Sequence, residues 1–364
     1  MDHVIELEDV ESFHRCRRAW DFGAAARRNF EPVQPLRPFD LSRALRDGLA
    51  AWYFPAMWAW TRSLVRPIAL EAFHKSMRAE RAGFLASQPA ESFPEGDWGS
   101  AAERGAFALQ RYFDWAPSVD DFSVVRVTTE FNVVVPDPGQ AGAGLIAADG
   151  KAVRFRGRIE LLALDEHHRL WPVEHRIVDG PQGAGRPRGA PQGAGQPWAD
   201  LDTLVLDHRS ASVCWALESQ YDAPVAGVII NELRLEPGPP APGGPRRRGV
   251  TVTGDPDGMF RRTYIRKAPK EVRRLRRQFA AAALDMCNPS LPVYPTPAPE
   301  HCGNCAFVAP CLAMSAGADP APILEESFRH PVPEVIELPP RTGSCGPQRV
   351  YGWKTKGPGV KQDY

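Results

Sequence analysis

Four cysteines carry the most pointed chemistry in this 364-residue chain: Cys16 near its start, and Cys302, Cys305 and Cys311 in one short run near its end. The late run reads Cys302-Gly303-Asn304-Cys305-Ala306-Phe307-Val308-Ala309-Pro310-Cys311, a C-x2-C-x5-C spacing that can set three thiolates around one metal centre, with Cys16 as a fourth. Iron–sulfur clusters are held by Cys thiolates, and a C-x2-C turn supplies two of them from one loop. Tetrahedral four-cysteine zinc sites use similar spacings, so spacing leaves both metals open. Either one would tie the first helix to the C-terminal segment. Cys214, Cys287 and Cys345 are scattered and read as core or tail thiols.

The elements that must position such a site emerge from periodicity. Glu8 to Phe30 is helical in character with Cys16 inside it, Leu41 to Leu70 repeats large apolar residues at three- and four-residue steps, and Glu103 to Trp115 predicts a further helix. The pattern then changes to period two, predicting strands at about 124–135, 153–164 and 170–178, with Asp165-Glu166-His167-His168 as the hairpin turn between the last two. His167 and His168 read as exposed polar residues of that turn rather than a metal pair. A helix from Asp207 to Glu218, a strand from Val225 to Leu235 and a helix over 268–287 complete the order. That last helix is expected to turn Val272, Leu275, Phe279, Leu284 and Met286 inward and Lys270, Arg273, Arg274, Arg276 and Arg277 outward, a basic face able to track phosphates. Two Pro/Gly stretches, 181–197 and 236–249, cannot bury an apolar face and are expected to be flexible loops. Residues 313–364 are Pro-rich and weakly patterned, and are expected to form a partly disordered tail to a domain spanning 1–312.

Bulk composition sets few limits. Hydrophobic residues make up 43% of the chain, enough for a real core, and 44 basic residues balance 44 acidic ones, so any nucleic-acid surface must be a local patch. The opening residues carry neither a basic nor an apolar leader region, and no run of about 18 apolar residues occurs, so a cytoplasmic chain is expected. Seven cysteines, an odd number grouped at ligand spacing, suit a reducing compartment better than a disulfide framework. The chain has no phosphate-binding G-x-x-x-x-G-K-[ST] loop.

The helix Ser12-Phe13-His14-Arg15-Cys16-Arg17-Arg18-Ala19-Trp20 and the late run Pro295 to Cys311 resemble the two halves of the cysteine clasp in the iron–sulfur branch of the PD-(D/E)xK nuclease superfamily. That branch includes RecB-like and AddB-like nucleases, phage-type members and the CRISPR adaptation exonucleases. Between them, Gly157-Arg158-Ile159-Glu160-Leu161-Leu162 and Leu170-Trp171-Pro172-Val173-Glu174-His175-Arg176 stand where that family has its G-x-x-D and D/E-x-K strands. The resemblance implies an α/β restriction-endonuclease-like core, a mixed central sheet of four or five strands flanked by helices, with a helical lobe clasped by a [4Fe–4S] cluster on Cys16, Cys302, Cys305 and Cys311.

It also implies a pocket in which two carboxylates on adjacent strands hold Mg2+ or Mn2+ and a Lys orients the attacking water. Here the family's helical His falls on Arg46, its strand Asp on Glu160, its second acid on Glu174, its Lys on Arg176, its Gln on Arg209 and its Tyr on Val213. Guanidiniums stay charged and prefer bidentate carboxylate pairing. Three of them beside Glu160 and Glu174 would take the place and charge of the metal. Glu130 is a possible accessory acid. The expectation is a DNA-associated, catalytically impaired pseudonuclease, binding nucleic acid or a protein partner. One alternative is an active metal-dependent nuclease using Glu160, Glu174 and Arg176; another is a scaffold that touches no nucleic acid.

Overall fold

A computed structural model of the chain describes residues 2–34, 38–178, 198–241 and 248–331. The loop at 181–197, residues 242–247 of the second Pro/Gly stretch, Cys345 and the chain beyond residue 331 lie outside them. Eleven helices are described: α1 (Leu7–Arg15), α2 (Arg17–Gly23), α3 (Leu41–Trp52), α4 (Arg62–Ser87), α5 (Glu95–Trp115), α6 (Leu201–Leu206), α7 (His208–Tyr221), α8 (Pro269–Cys287), α9 (Pro299–Cys302), α10 (Val308–Ser315) and α11 (Ala321–Ser327). The strands are β1 (His3–Glu6), β2 (Glu31–Pro32), β3 (Ser123–Val134), β4 (Val153–Leu164), β5 (Leu170–Val178), β6 (Gly227–Arg234), β7 (Val250–Gly254), β8 (Phe260–Arg266) and β9 (Phe328–Arg329).

This is an α/β architecture built on a mixed central sheet. Seven strands take the order β1-β4-β5-β6-β8-β7, with β3 on the other edge of β4. Strands β5 and β6 run parallel because the chain between them crosses over through α6 and α7, whereas β4–β5 and β6–β8 are antiparallel. Every residue of β6 is buried, as a central strand requires. One face of the sheet packs Phe155, Ile159, Val228 and Ile230 against α1, α7 and α8 through Val10, Trp215 and Phe279. The other packs Leu161, Val173, Ile229 and Leu233 against α3, α4 and α5 through Leu45, Phe73 and Leu109.

Two features of β4 set up the site. Its outer edge pairs with β3 along its length, but its inner edge is shared: β1 takes residues 153–156 and β5 takes 161–164. The backbone between, Gly157 to Glu160, faces a gap where the neighbouring strands diverge. A Cβ on Gly157 would lie 2.7 Å from Leu7 Cβ and from the Phe131 ring, so only glycine lets α1 close over this gap. The pleat also changes phase here. Ile159 and Leu161, which a regular strand would turn to one face, enter opposite cores, and Val127 and Phe131 of β3 do the same. Thr128, between the paired Val127 and Thr129, has φ 49°, in the left-handed region. That conformation is strained for a β-branched residue. The kink turns Glu160 out of both cores into the gap.

The structure corrects several expectations. Cys16 is not inside a helix: with φ −161 and ψ 111 it is the extended joint between α1 and α2. The sheet is larger than four or five strands, because β1, β7 and β8 belong to it. The folded unit runs through His330 rather than ending at 312, since α10 and α11 pack on and β9 pairs antiparallel with β2. His167 and His168 do lie on the β4–β5 turn and are exposed.

Candidate functional site

Glu160 at the β4 gap, Glu174 on β5 and the guanidiniums of Arg46, Arg176 and Arg209 line one cleft of about 400 Å³, with Glu8 and Glu11 of α1 at its margin. Each arginine arrives from a different element. Arg46, on the outward side of α3, sets Nε 2.6 Å from Glu160 Oε1. Arg176, two residues beyond Glu174 on the same face of β5, donates from Nε to Glu174 Oε1 at 3.0 Å and from Nη2 to Asp207 Oδ2 at 3.0 Å. Arg209, in the first turn of α7, lies more loosely, 3.9 Å from Glu174 and 3.8–4.0 Å from Glu8 and Glu11. Val213 lies one turn along α7, buried in the core. Glu130 sits on β3, exposed, outside the cleft.

Asp207 escaped the sequence reading. It caps α7, accepting Ser210 N at 3.2 Å, and with the same Oδ2 receives Arg176. An Asp before a helix signals a cap, but its second role depends on the β5–α7 crossover, which no local pattern shows.

The charges of the cleft are partly buried. Burial pushes the Glu160 carboxyl up to about 7, opposed by the Arg46 guanidinium and by the His175 backbone N–H, which donates to Oε2 at 2.5 Å. Burial works against the charge of Arg176, yet Glu174 and Asp207 hold its pKa above the ordinary arginine value. His175 lies beneath the cleft, fully buried, and burial lowers it to about 3. Neutral at ordinary pH, its Nδ1 accepts from Asn231 Nδ2 at 2.8 Å, which leaves the ring proton on Nε2. Asn231 also donates to Tyr112 Oη at 3.0 Å. Tyr112 meets Tyr53 at 2.7 Å, and Tyr53 donates to Asp120 Oδ1 at 3.1 Å. Arg262 completes the floor, pairing with Asp120 and donating from Nη2 to Tyr112 Oη at 2.9 Å.

The cysteines are arranged differently. The Cys16 joint turns its Sγ toward the backbone of the late segment, accepting Thr296 N at 3.4 Å. Arg18 Nη1 donates to Cys311 Sγ at 3.7 Å, and Arg18 N bonds Tyr294 O at 3.2 Å. Burial raises the Cys305 thiol, with Cys16 and Cys302 adding to the effect. Among the described residues, however, no three His, Cys, Asp or Glu side chains converge at metal-ligand geometry, here or in the cleft. The two chain ends are joined by protein contacts: Phe22 stacks on Phe307 at 5.2 Å, and Phe307 on Phe328 at 5.1 Å. The donor types suit a thiolate-bound metal; a ligand set at bonding geometry is not in place.

Among the described residues no helix is long and apolar enough to cross a membrane. No family model and no curated protein matches the chain. A solved structure described as "Crystal structure of SSO0001" matches over 75% of this chain and 84% of that one, at 12% identity and a TM-score of 0.28, too slight a likeness to carry an argument.

Proposed function

We propose that this chain is a PD-(D/E)xK nuclease-like protein whose cleavage site has been filled by its own arginines and which acts by binding nucleic acid. The observation that carries the reading is the pairing of both strand carboxylates, Glu160 with Arg46 at 2.6 Å and Glu174 with Arg176 at 3.0 Å. A divalent ion would have to displace both guanidiniums, and in a partly desolvated cleft a third cation is repelled by those already there. Arg176 cannot serve as a base, because it does not give up its proton. Its neighbours Glu174 and Asp207 anchor it at two points, against the free movement that positioning a water would require.

Cys16, Cys302, Cys305 and Cys311 are proposed to hold a structural [4Fe–4S] cluster, with zinc as the alternative. Support comes from the donor set and from the helix break that turns Cys16 toward the late segment. When bound, such a group would add its binding free energy to folding. Visible absorbance and iron content of anaerobically purified protein test this, and a Cys16→Ala variant that keeps both would contradict it.

Activity is tested by incubating labelled single- and double-stranded DNA with Mg2+, Mn2+ or EDTA while binding is followed by fluorescence anisotropy. The expected result is salt-sensitive binding, indifferent to EDTA, without degradation. Metal-dependent degradation lost in Glu160→Gln would establish an active nuclease instead. Absence of any salt-sensitive binding would leave the scaffold reading.

A further inference from the structure

A second charged surface contrasts with the cleft. Along α8, Lys270, Arg273, Arg276 and Arg277 form one wall of a groove of about 380 Å³, and the segment Pro136–Ala141 forms the other. The opposite wall is held in shape by Pro136 and Pro138, by the Asp137 N to Ala143 O hydrogen bond at 2.9 Å, and by the Gly139 N to Asp137 Oδ1 bond at 2.7 Å. Among the described residues none of these four cations lies within ion-pair distance of a carboxylate. In the rest of this charge-balanced chain such pairing is common, as in Arg43 with Glu80, Arg66 with Asp114 and Arg78 with Glu71. Among the described residues two acids bear on the groove: Asp137, engaged with Gly139, and Glu218 of α7, which accepts Val225 N and feels Arg276 and Arg273 through space.

The placement is also unfavourable for the helix itself. Lys270 lies in the first turn of this 19-residue helix, where the amide dipoles already make the end positive and the acid of that turn, Glu271, is paired with Lys267; Arg273, Arg276 and Arg277 follow along the next two turns. A solvated helix face does best with acids there. Positive side chains, a positive helix end and few counter-charges together make a surface completed by an anion. Lys270 to Arg277 spans about 10 Å at 1.5 Å per residue, long enough to meet successive phosphates of one strand. A single bound ion would leave much of that length empty.

We infer that the groove between α8 and Pro136–Ala141 is a track for the phosphate backbone of a nucleic-acid strand, separate from the arginine-filled cleft. This rests on the nucleic-acid reading above and locates it. The test measures anisotropy of a labelled 20-nucleotide strand and its duplex against salt, for the wild type, for Arg273→Gln/Arg277→Gln, and for Arg78→Gln as a charge-loss control on α4. The groove variant is expected to bind roughly tenfold more weakly at 100 mM salt, with the log–log salt slope reduced by about 1.5, while the control stays within about twofold. If the groove variant keeps both affinity and slope, the track is overturned while nucleic-acid binding stands. Competition by polyglutamate at equal charge as effective as by unlabelled strand overturns it in favour of an acidic polypeptide. No binding by the wild type at 50 mM salt removes the nucleic-acid reading itself.

Discussion

The cleft and the α8 groove hold similar numbers of arginines and use them in opposite ways. In the cleft every guanidinium of the trio meets a carboxylate within 4.0 Å, and in the groove none does among the described residues. Arginine count therefore says little about function in this protein; what matters is whether the compensating charge is built into the chain or must come from outside. In the cleft Arg46, Arg176 and Arg209 are paired within the chain, so these three arginines contribute to folding. The groove lacks such partners among the described residues, and on the proposal above its arginines would contribute to binding.

Removing a charge should accordingly destabilise the cleft region and spare the groove. The largest effect is expected in the cleft floor, where Arg262 and Asp120 are both buried. Asp120→Ala strands a buried guanidinium and should lower unfolding free energy by about 3–5 kcal/mol, read by urea denaturation; a loss below 1 kcal/mol would show that the floor relaxes around the vacancy. Arg176→Ala, which breaks the bonds to Glu174 and Asp207, should cost about 1–3 kcal/mol. Arg176→Lys should restore no Mg2+-dependent cleavage, because Arg46 and Arg209 remain, and robust cutting by that single variant would end the filled-site account.

The pH dependence sharpens the contrast further. Because the folded-state pKa of Glu160 is raised to about 7, the stability it contributes is full below the ordinary carboxylate pKa and is lost as pH rises through 7. For His175, lowered to about 3, the sign is opposite: its contribution is present above the ordinary imidazole value and is lost as pH falls toward 3. Between pH 5 and 7 the two offset each other in the wild type. Glu160→Gln should therefore lose melting temperature on acidification from pH 7 to 5 more steeply than the wild type, and an unchanged profile would contradict a buried, uncharged-leaning Glu160. The smallest effect belongs to the groove: Arg273→Gln and Arg277→Gln should each change stability by less than about 0.5 kcal/mol.

Much of the cleft was legible in the sequence because its parts lie on regular elements. Period two placed Glu160 and Glu174 on adjacent strands, and the family resemblance singled out Arg46 and Arg209 on helices of the pattern. What stayed hidden depends on how strands diverge. The gap in β4 arises only because the four-residue β1 pairs beside β5, and a strand so short leaves no periodic signal. The phase change at Thr128 and Glu160 is a backbone event without a glycine to mark it. Asp207 and the chain from His175 through Asn231 and Tyr112 to Arg262 join residues far apart in sequence, each ordinary in its local context. The cysteine spacing was the plainest chemical pattern of all, yet the folded chain joins those segments through Phe22, Phe307 and Phe328 without converging the thiols.

The central claim, that guanidiniums stand where a nuclease would hold divalent ions, is tested most directly by titrating Mn2+ calorimetrically into the wild type and into Glu160→Gln/Glu174→Gln. No heat at millimolar Mn2+ should distinguish the two proteins. Stoichiometric Mn2+ binding by the wild type, abolished in the double variant, would show that the carboxylates remain a metal site and that the arginines give way to it.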